Sequence, residues 1–125
     1  VPELQRQMAA VTSERALLRL LAVVRPPRNV FGVAPAYSAS PAYAVSKASL
    51  NALTRVQAAA APDVWVGAVC PGNVLTRMAT AEECATAVPP AEAARGVLRL
   101  VREVRRSGDA FKSGCFWRDG VEIPF

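Results

Sequence analysis

The chain has no histidine and only two lysines among its fifteen basic residues. Its three cysteines stand at 70, 84 and 115, with no C-x-x-C spacing. Without histidine a mixed Cys/His zinc site is excluded, and three thiols are too few for a four-cysteine site. The odd, scattered cysteines are expected to be reduced thiols, which points to a cytoplasmic protein. Long apolar runs are also lacking. The longest stretch, 16–24, is interrupted by Arg19 and is too short to span a bilayer. Glu3, Gln5, Arg6 and Gln7 break any signal-peptide pattern at the start. The chain opens at Val1 rather than Met, as expected of a processed chain or a fragment.

What is present suits a folded domain. The 125 residues are 52% apolar, enough for a core and against wholesale disorder. The net charge of +5 raises a nucleic-acid or membrane partner. The arginines, however, are spread over periodic segments (Arg95, Arg99, Arg102) and loops (Arg28, Arg118), and no basic run is interleaved with stacking aromatics. Neither nucleic acid nor membrane is expected as a partner. A lysine is unusual in so arginine-rich a chain, and Lys47 stands four residues after Tyr43.

Residues 2–24 read as helical, with Thr12 or Ser13 capping a second helix whose first turn holds Glu14. Leu17, Leu18, Leu21 and Val24 predict its apolar stripe, and Pro26-Pro27 ends it. Residues 28–40 read as loop. Ser40-Pro41 predicts a helix start and Ala61-Pro62-Asp63 its end. The Val-rich run 64–69 fits a buried parallel strand, so helix and strand form an α/β unit. In such folds ligands sit beyond the carboxyl ends of strands, which singles out the loop 71–76. Pro89-Pro90 opens another helix with Val97, Leu98, Val101 and Val104 on one side, ended by Ser107-Gly108-Asp109. Two short strands, 114–117 and 121–123, flank Asp119-Gly120, a strong hairpin signal.

The sharpest chemical feature is Tyr43-Ala-Val-Ser-Lys47. On a helix, positions i and i+4 share a face, so phenol and ammonium project side by side. A free tyrosine titrates at about 10, and a nearby cation favours the phenolate. Such a pair is suited to exchange a proton with a carbonyl or alcohol oxygen near neutral pH. The bland alternative is an amphipathic helix with a core tyrosine and a solvated lysine. The surrounding small residues (Ala42, Ala44, Ser46, Ala48) weigh against it, because they would admit a flat ring to the helix.

Three ordered motifs sharpen this. The stretch 40–55, Ser-Pro-Ala-Tyr-Ala-Val-Ser-Lys through Thr-Arg, resembles the catalytic helix of short-chain dehydrogenases/reductases. Cys-Pro-Gly-Asn-Val-Leu-Thr-Arg-Met, 70–78, resembles that family's P-G-x-V-x-T segment. Residues 113–120 and the ending Glu-Ile-Pro-Phe resemble the hairpin of its carbonyl-reductase-like branch. The resemblance covers most of 38–125. It implies the C-terminal portion of a Rossmann-like doubly wound parallel sheet, incomplete, closed by a C-terminal hairpin, with 1–37 as a helical insertion-like segment and loop. It implies Tyr43 as acid/base, with Lys47 assisting it and holding a nicotinamide ribose. Pro71, Gly72 and the backbone at Val74 would face the nicotinamide, and Thr76 its carboxamide. NADP, or NAD, would be the cofactor, and a small carbonyl or alcohol the substrate, covered by the loop 79–88.

The resemblance also has gaps. The family's catalytic serine has no counterpart: counting back from Tyr43 reaches Val30, and Ser38 and Ser40 lie too close. On this reading the chain starts just downstream of that serine. The seven glycines (32, 67, 72, 96, 108, 114 and 120) give neither G-x-x-x-G-x-G nor G-x-G-x-x-G, so no backbone nest for a pyrophosphate is visible. The expectation is an oxidoreductase whose isolated fragment is inactive. The alternative is a truncated, non-catalytic product or pseudoenzyme acting through protein–protein contact.

Overall fold

The computed structural model describes residues 3–23, 41–77, 79, 81–107 and 111–124. The expected loop 28–40, with Ser38, Ser40 and Val30, lies outside the described residues, as do Val24, Pro26-Pro27 and Gly108-Asp109. Among the described residues the fold is mixed α/β. Two short helices, α1 (Glu3–Ala9) and α2 (Glu14–Val23), precede the long α3 (Pro41–Ala60). Then come β1 (Ala68–Val69), the single-turn α4 (Ala81–Cys84), α5 (Pro90–Arg106), and the hairpin β2 (Phe116–Arg118) and β3 (Val121–Ile123).

The helical end is built on local signals. Ser13 Oγ accepts the Ala16 N–H at 3.2 Å, which caps α2 and satisfies one of its orphan donors. Met8 of α1, Leu17 of α2 and Ala52 of α3 are buried together, with Leu4, Val11, Leu20, Leu21, Val45, Ala48 and Leu53 packed around them. Burying a side chain such as Leu17 contributes about 1.5–3 kcal/mol. Ala52 lets the helices approach closely there. The Arg55 guanidinium donates to the Met8 carbonyl at 2.6 Å, placing a cation at the carboxyl end of α1. The expected stripe of α2 is partly corrected: Leu17 and Leu21 turn inward, whereas Leu18 is 67% exposed. Leu20 takes the inner place instead, because the stripe follows the 3.6-residue period against α3.

β1 pairs in parallel with β2, which pairs antiparallel with β3, giving the order β1-β2-β3. The expected strand 64–69 is shorter than its apolar run. Pairing with the tail does extend beyond it: Gly114 N–H donates to Val66 O at 2.7 Å, Ala68 N–H to Cys115 O at 3.0 Å and Cys70 N–H to Trp117 O at 2.8 Å. The run is not buried as expected, since Val64 is 57% exposed and β1 lies at one edge of this sheet. The Trp65 ring lies against the α-carbon of Gly67, where no side chain would fit. Its indole N–H reaches Phe111 O at 2.8 Å. The hairpin turn is as its sequence predicts. Asp119 (φ 52°) and Gly120 (φ 78°) are both left-handed, as a two-residue loop matched to strand twist requires.

Helix α5 starts with Pro90 in its first turn and ends with Arg105 and Arg106 in its last, where cations suit the dipole. Its inward face differs from expectation. Ala93 and Leu100 are buried and Val97 and Val104 half-buried, while Leu98 and Val101 face outward. The helix carries two apolar stripes, and its contacts select one.

Candidate functional site

Tyr43 stands in the first turn of α3 and Lys47 one turn on, on the same face. The lysine ammonium lies over the tyrosine ring, 5.4 Å from its centroid, within cation–π range. Both side chains are exposed, Tyr43 by 50%. Three hydroxyls of α3 bond to carbonyls of their own helix. Ser46 donates to Tyr43 O at 2.7 Å, Ser49 to Val45 O at 2.6 Å and Thr54 to Leu50 O at 2.9 Å. The carboxyl half of α3 comes close to Gly114, two residues before β2. That residue has φ +82°, and a Cβ there would sit 3.2 Å from the Ala58 Cβ.

Pro71 and Gly72 follow the end of β1, and Gly72 has φ +78°. Among the described residues a Cβ on Gly72 would meet only the Arg118 guanidinium, 4.0 Å away, so the backbone here is open to approach. The segment after the turn is held by Asn73. Its amide donates to Glu83 O at 2.7 Å and to Thr86 Oγ1 at 3.0 Å, and its carbonyl accepts from Val88 N–H at 2.9 Å. Val74 and Val88 form a parallel bridge, with Leu75 N–H bonded to Val88 O at 2.9 Å. These bonds are made by Asn73 and Leu75 on either side of Val74, and Thr76 is exposed just beyond.

A cleft of about 270 Å³ opens beside this turn. Val69, Cys70 and Pro71 form one wall, Ala93, Gly96, Val97 and Leu100 of α5 another, and Glu92 and Asp119 also border it. The site residues therefore divide. Pro71 lines the cleft, whereas Tyr43, Lys47, Gly72, Val74 and Thr76 are not among its lining residues. The cleft lies beyond a strand end, where α/β folds bind ligands.

Sequence reasoning missed two residues. Asn73 reads as turn filler after Pro-Gly, yet it ties 71–76 to 83–88. Arg118 is far from Gly72 in sequence, and parallel pairing of β1 with β2 brings its guanidinium over the turn. Its contact with Asp119, 3.6 Å between two well-exposed groups, is a weak surface pair. Cys70, Cys84 and Cys115 are free thiols. Burial, reinforced by a hydrogen bond to Glu122 and the charge of that carboxylate, pushes the Cys115 thiol above its ordinary value of 9.0, with Lys112 opposing.

Among the described residues no group of three or more His, Cys, Asp or Glu is placed to hold a metal ion. No helix among them is long and apolar enough to cross a membrane. No family model, curated protein or solved structure matches the chain.

Proposed function

We propose that this chain is the C-terminal portion of a Rossmann-like domain in an NAD(P)-dependent oxidoreductase that interconverts a carbonyl and an alcohol. One observation carries the reading: the Lys47 ammonium seated over the Tyr43 ring on an accessible face of α3. The parallel β1–β2 pair and the open Gly72 turn beyond β1 support it.

In this reading Tyr43 Oη holds or accepts the proton that the substrate oxygen gains or loses. The Lys47 cation stabilises negative charge as it develops on the tyrosine side chain, and its rotatable N–H donors suit ribose hydroxyls. Pro71, Gly72 and Val74 would form the wall against a nicotinamide, and Thr76 would bond its carboxamide. The residues fit that end of the cofactor, because Gly72 presents backbone without a side chain. The described residues offer no glycine-rich nest for a pyrophosphate, so that end would need another segment. When bound, the nicotinamide would supply or accept the hydride. NADP is the favoured form, by resemblance to the carbonyl-reductase-like branch. A cytoplasmic setting fits the three free thiols.

A second reading, a non-catalytic chain acting through protein contact, draws on one feature. The cleft is not lined by the Tyr43/Lys47 pair. The two are separated by comparing the 125-residue chain with a longer form carrying a glycine-rich strand–turn–helix unit upstream. The fragment should give no saturable NADPH binding by nicotinamide fluorescence, and the longer form should bind. In the longer form Tyr43→Phe should abolish turnover and leave NADPH affinity nearly intact. Full turnover by Tyr43→Phe would overturn the assignment.

A further inference from the structure

The outer face of α5 has an organisation that the reaction above does not use. Ala91, Ala94, Leu98 and Val101 recur at alternating three- and four-residue steps, the spacing of a helix-pairing seam. All four are exposed, Leu98 by 54% and Val101 by 47%. Beside this seam runs a row of arginines, Arg95, Arg99, Arg102 and Arg106, over about 16 Å of helix. Arg99 is bonded to Glu103 at 2.9 Å. Arg95, Arg102, Arg105 and Arg106 have no carboxylate partner among the described residues. The apolar stripe that serves the fold is a different one, Ala93, Val97, Leu100 and Val104.

We propose that this face docks an acidic amphipathic helix of a partner protein, with apolar residues on the Leu98/Val101 seam and carboxylates along the arginine row. Charge selects the occupant. A second copy in antiparallel register would set Arg95 against Arg102 of the other copy, with the few acidic residues of α5 (Glu92 and Glu103) at the far edge of the face, so self-pairing is disfavoured. A lipid surface is a poor fit, because Leu98 and Val101 are the only large apolar side chains on the seam and no aromatic accompanies them. A nucleic-acid backbone would use the arginines and leave the apolar seam without a role. This inference is independent of the oxidoreductase reading, since it involves neither Tyr43 nor Lys47.

The test uses the 125-residue chain and a fluorescent three-heptad peptide with Leu at its a and d positions and Glu at e and g. Its comparators are a scrambled isomer, a version with Lys for Glu, phosphatidylserine vesicles and a short DNA duplex. The Glu peptide should bind by anisotropy, more weakly as salt rises, and tighter than every comparator. Leu98→Asp should weaken it about 30-fold, the loss typical of a central contact residue. Arg95→Glu with Arg102→Glu should reverse the preference toward the Lys peptide. Both variants change exposed positions, and their far-UV circular dichroism should match the parent. Equal binding of the scrambled isomer, insensitivity to Leu98→Asp, or tighter capture by vesicles or duplex would each overturn the proposal.

Discussion

Substituting Gly114 by alanine tests how α3, and with it Tyr43, is fixed to the sheet. Gly114 has φ +82°, a conformation that costs an L-residue with a Cβ about 1–2 kcal/mol. The new methyl would also stand 3.2 Å from the Ala58 Cβ and 3.6 Å from the Arg55 α-carbon. Both neighbours belong to a rigid helix, so several tenths of an ångström must be taken up by moving α3 from β2. Together these place Gly114→Ala at about 2–3 kcal/mol of destabilisation. For a chain of this length that is a fall in melting temperature of roughly 6–12 °C. Urea unfolding followed by tryptophan fluorescence reads it, since Trp65 bonds to Phe111 O and Trp117 packs on the Phe111 ring, in the same tail segment as Gly114. The contact share is separated by adding Ala58→Gly. Alone, that change costs about 1 kcal/mol from helix propensity. In the Gly114→Ala background it should cost less, by about 0.5–1 kcal/mol of coupling, because the crowded methyl is gone. A Gly114→Ala loss under 0.5 kcal/mol, or strict additivity with Ala58→Gly, would refute the close approach.

Further outcomes follow from the local chemistry. Ser13→Ala removes the cap on the Ala16 N–H and should destabilise the chain by about 1 kcal/mol, read as a lower urea midpoint at unchanged slope; no shift would mean the cap is idle. The Cys115 thiol should be alkylated by iodoacetamide more slowly than the exposed Cys84 at neutral pH, and Glu122→Gln should accelerate it; an unchanged rate would remove Glu122 as a cause. Because folding raises that thiol's pKa, its contribution to stability is fully present below 9.0, the unfolded value, and is lost as pH climbs through the higher native value. Urea midpoints across that range should fall in the parent and fall less in Cys115→Ser.

Much of the backbone was legible where the signal is local. Pro41 and Pro62 bracket α3, Ser13 caps α2, and Asp119-Gly120 turns the hairpin, each through constraints on its own dihedrals or hydrogen bonds. Features decided by partners were not. The strand after α3 is trimmed because pairing with the tail, rather than the apolar run, sets its length. The inward face of α5 was misread because Leu98 and Val101 are as apolar as Val97 and Leu100, and only tertiary contact distinguishes the stripes. At the site, the i,i+4 pairing of Tyr43 with Lys47 is a helix property and was readable. The cleft that leaves them outside its lining depends on how α5 and the hairpin close around the turn at Pro71, which no spacing encodes.

The most direct measurement is a double-substitution cycle on turnover in a longer, cofactor-binding form: Tyr43→Phe, Lys47→Met and both together. If phenol and ammonium act as one unit, the double variant loses no more than about the larger single loss. Losses that multiply, or a single variant with full turnover, would contradict the account.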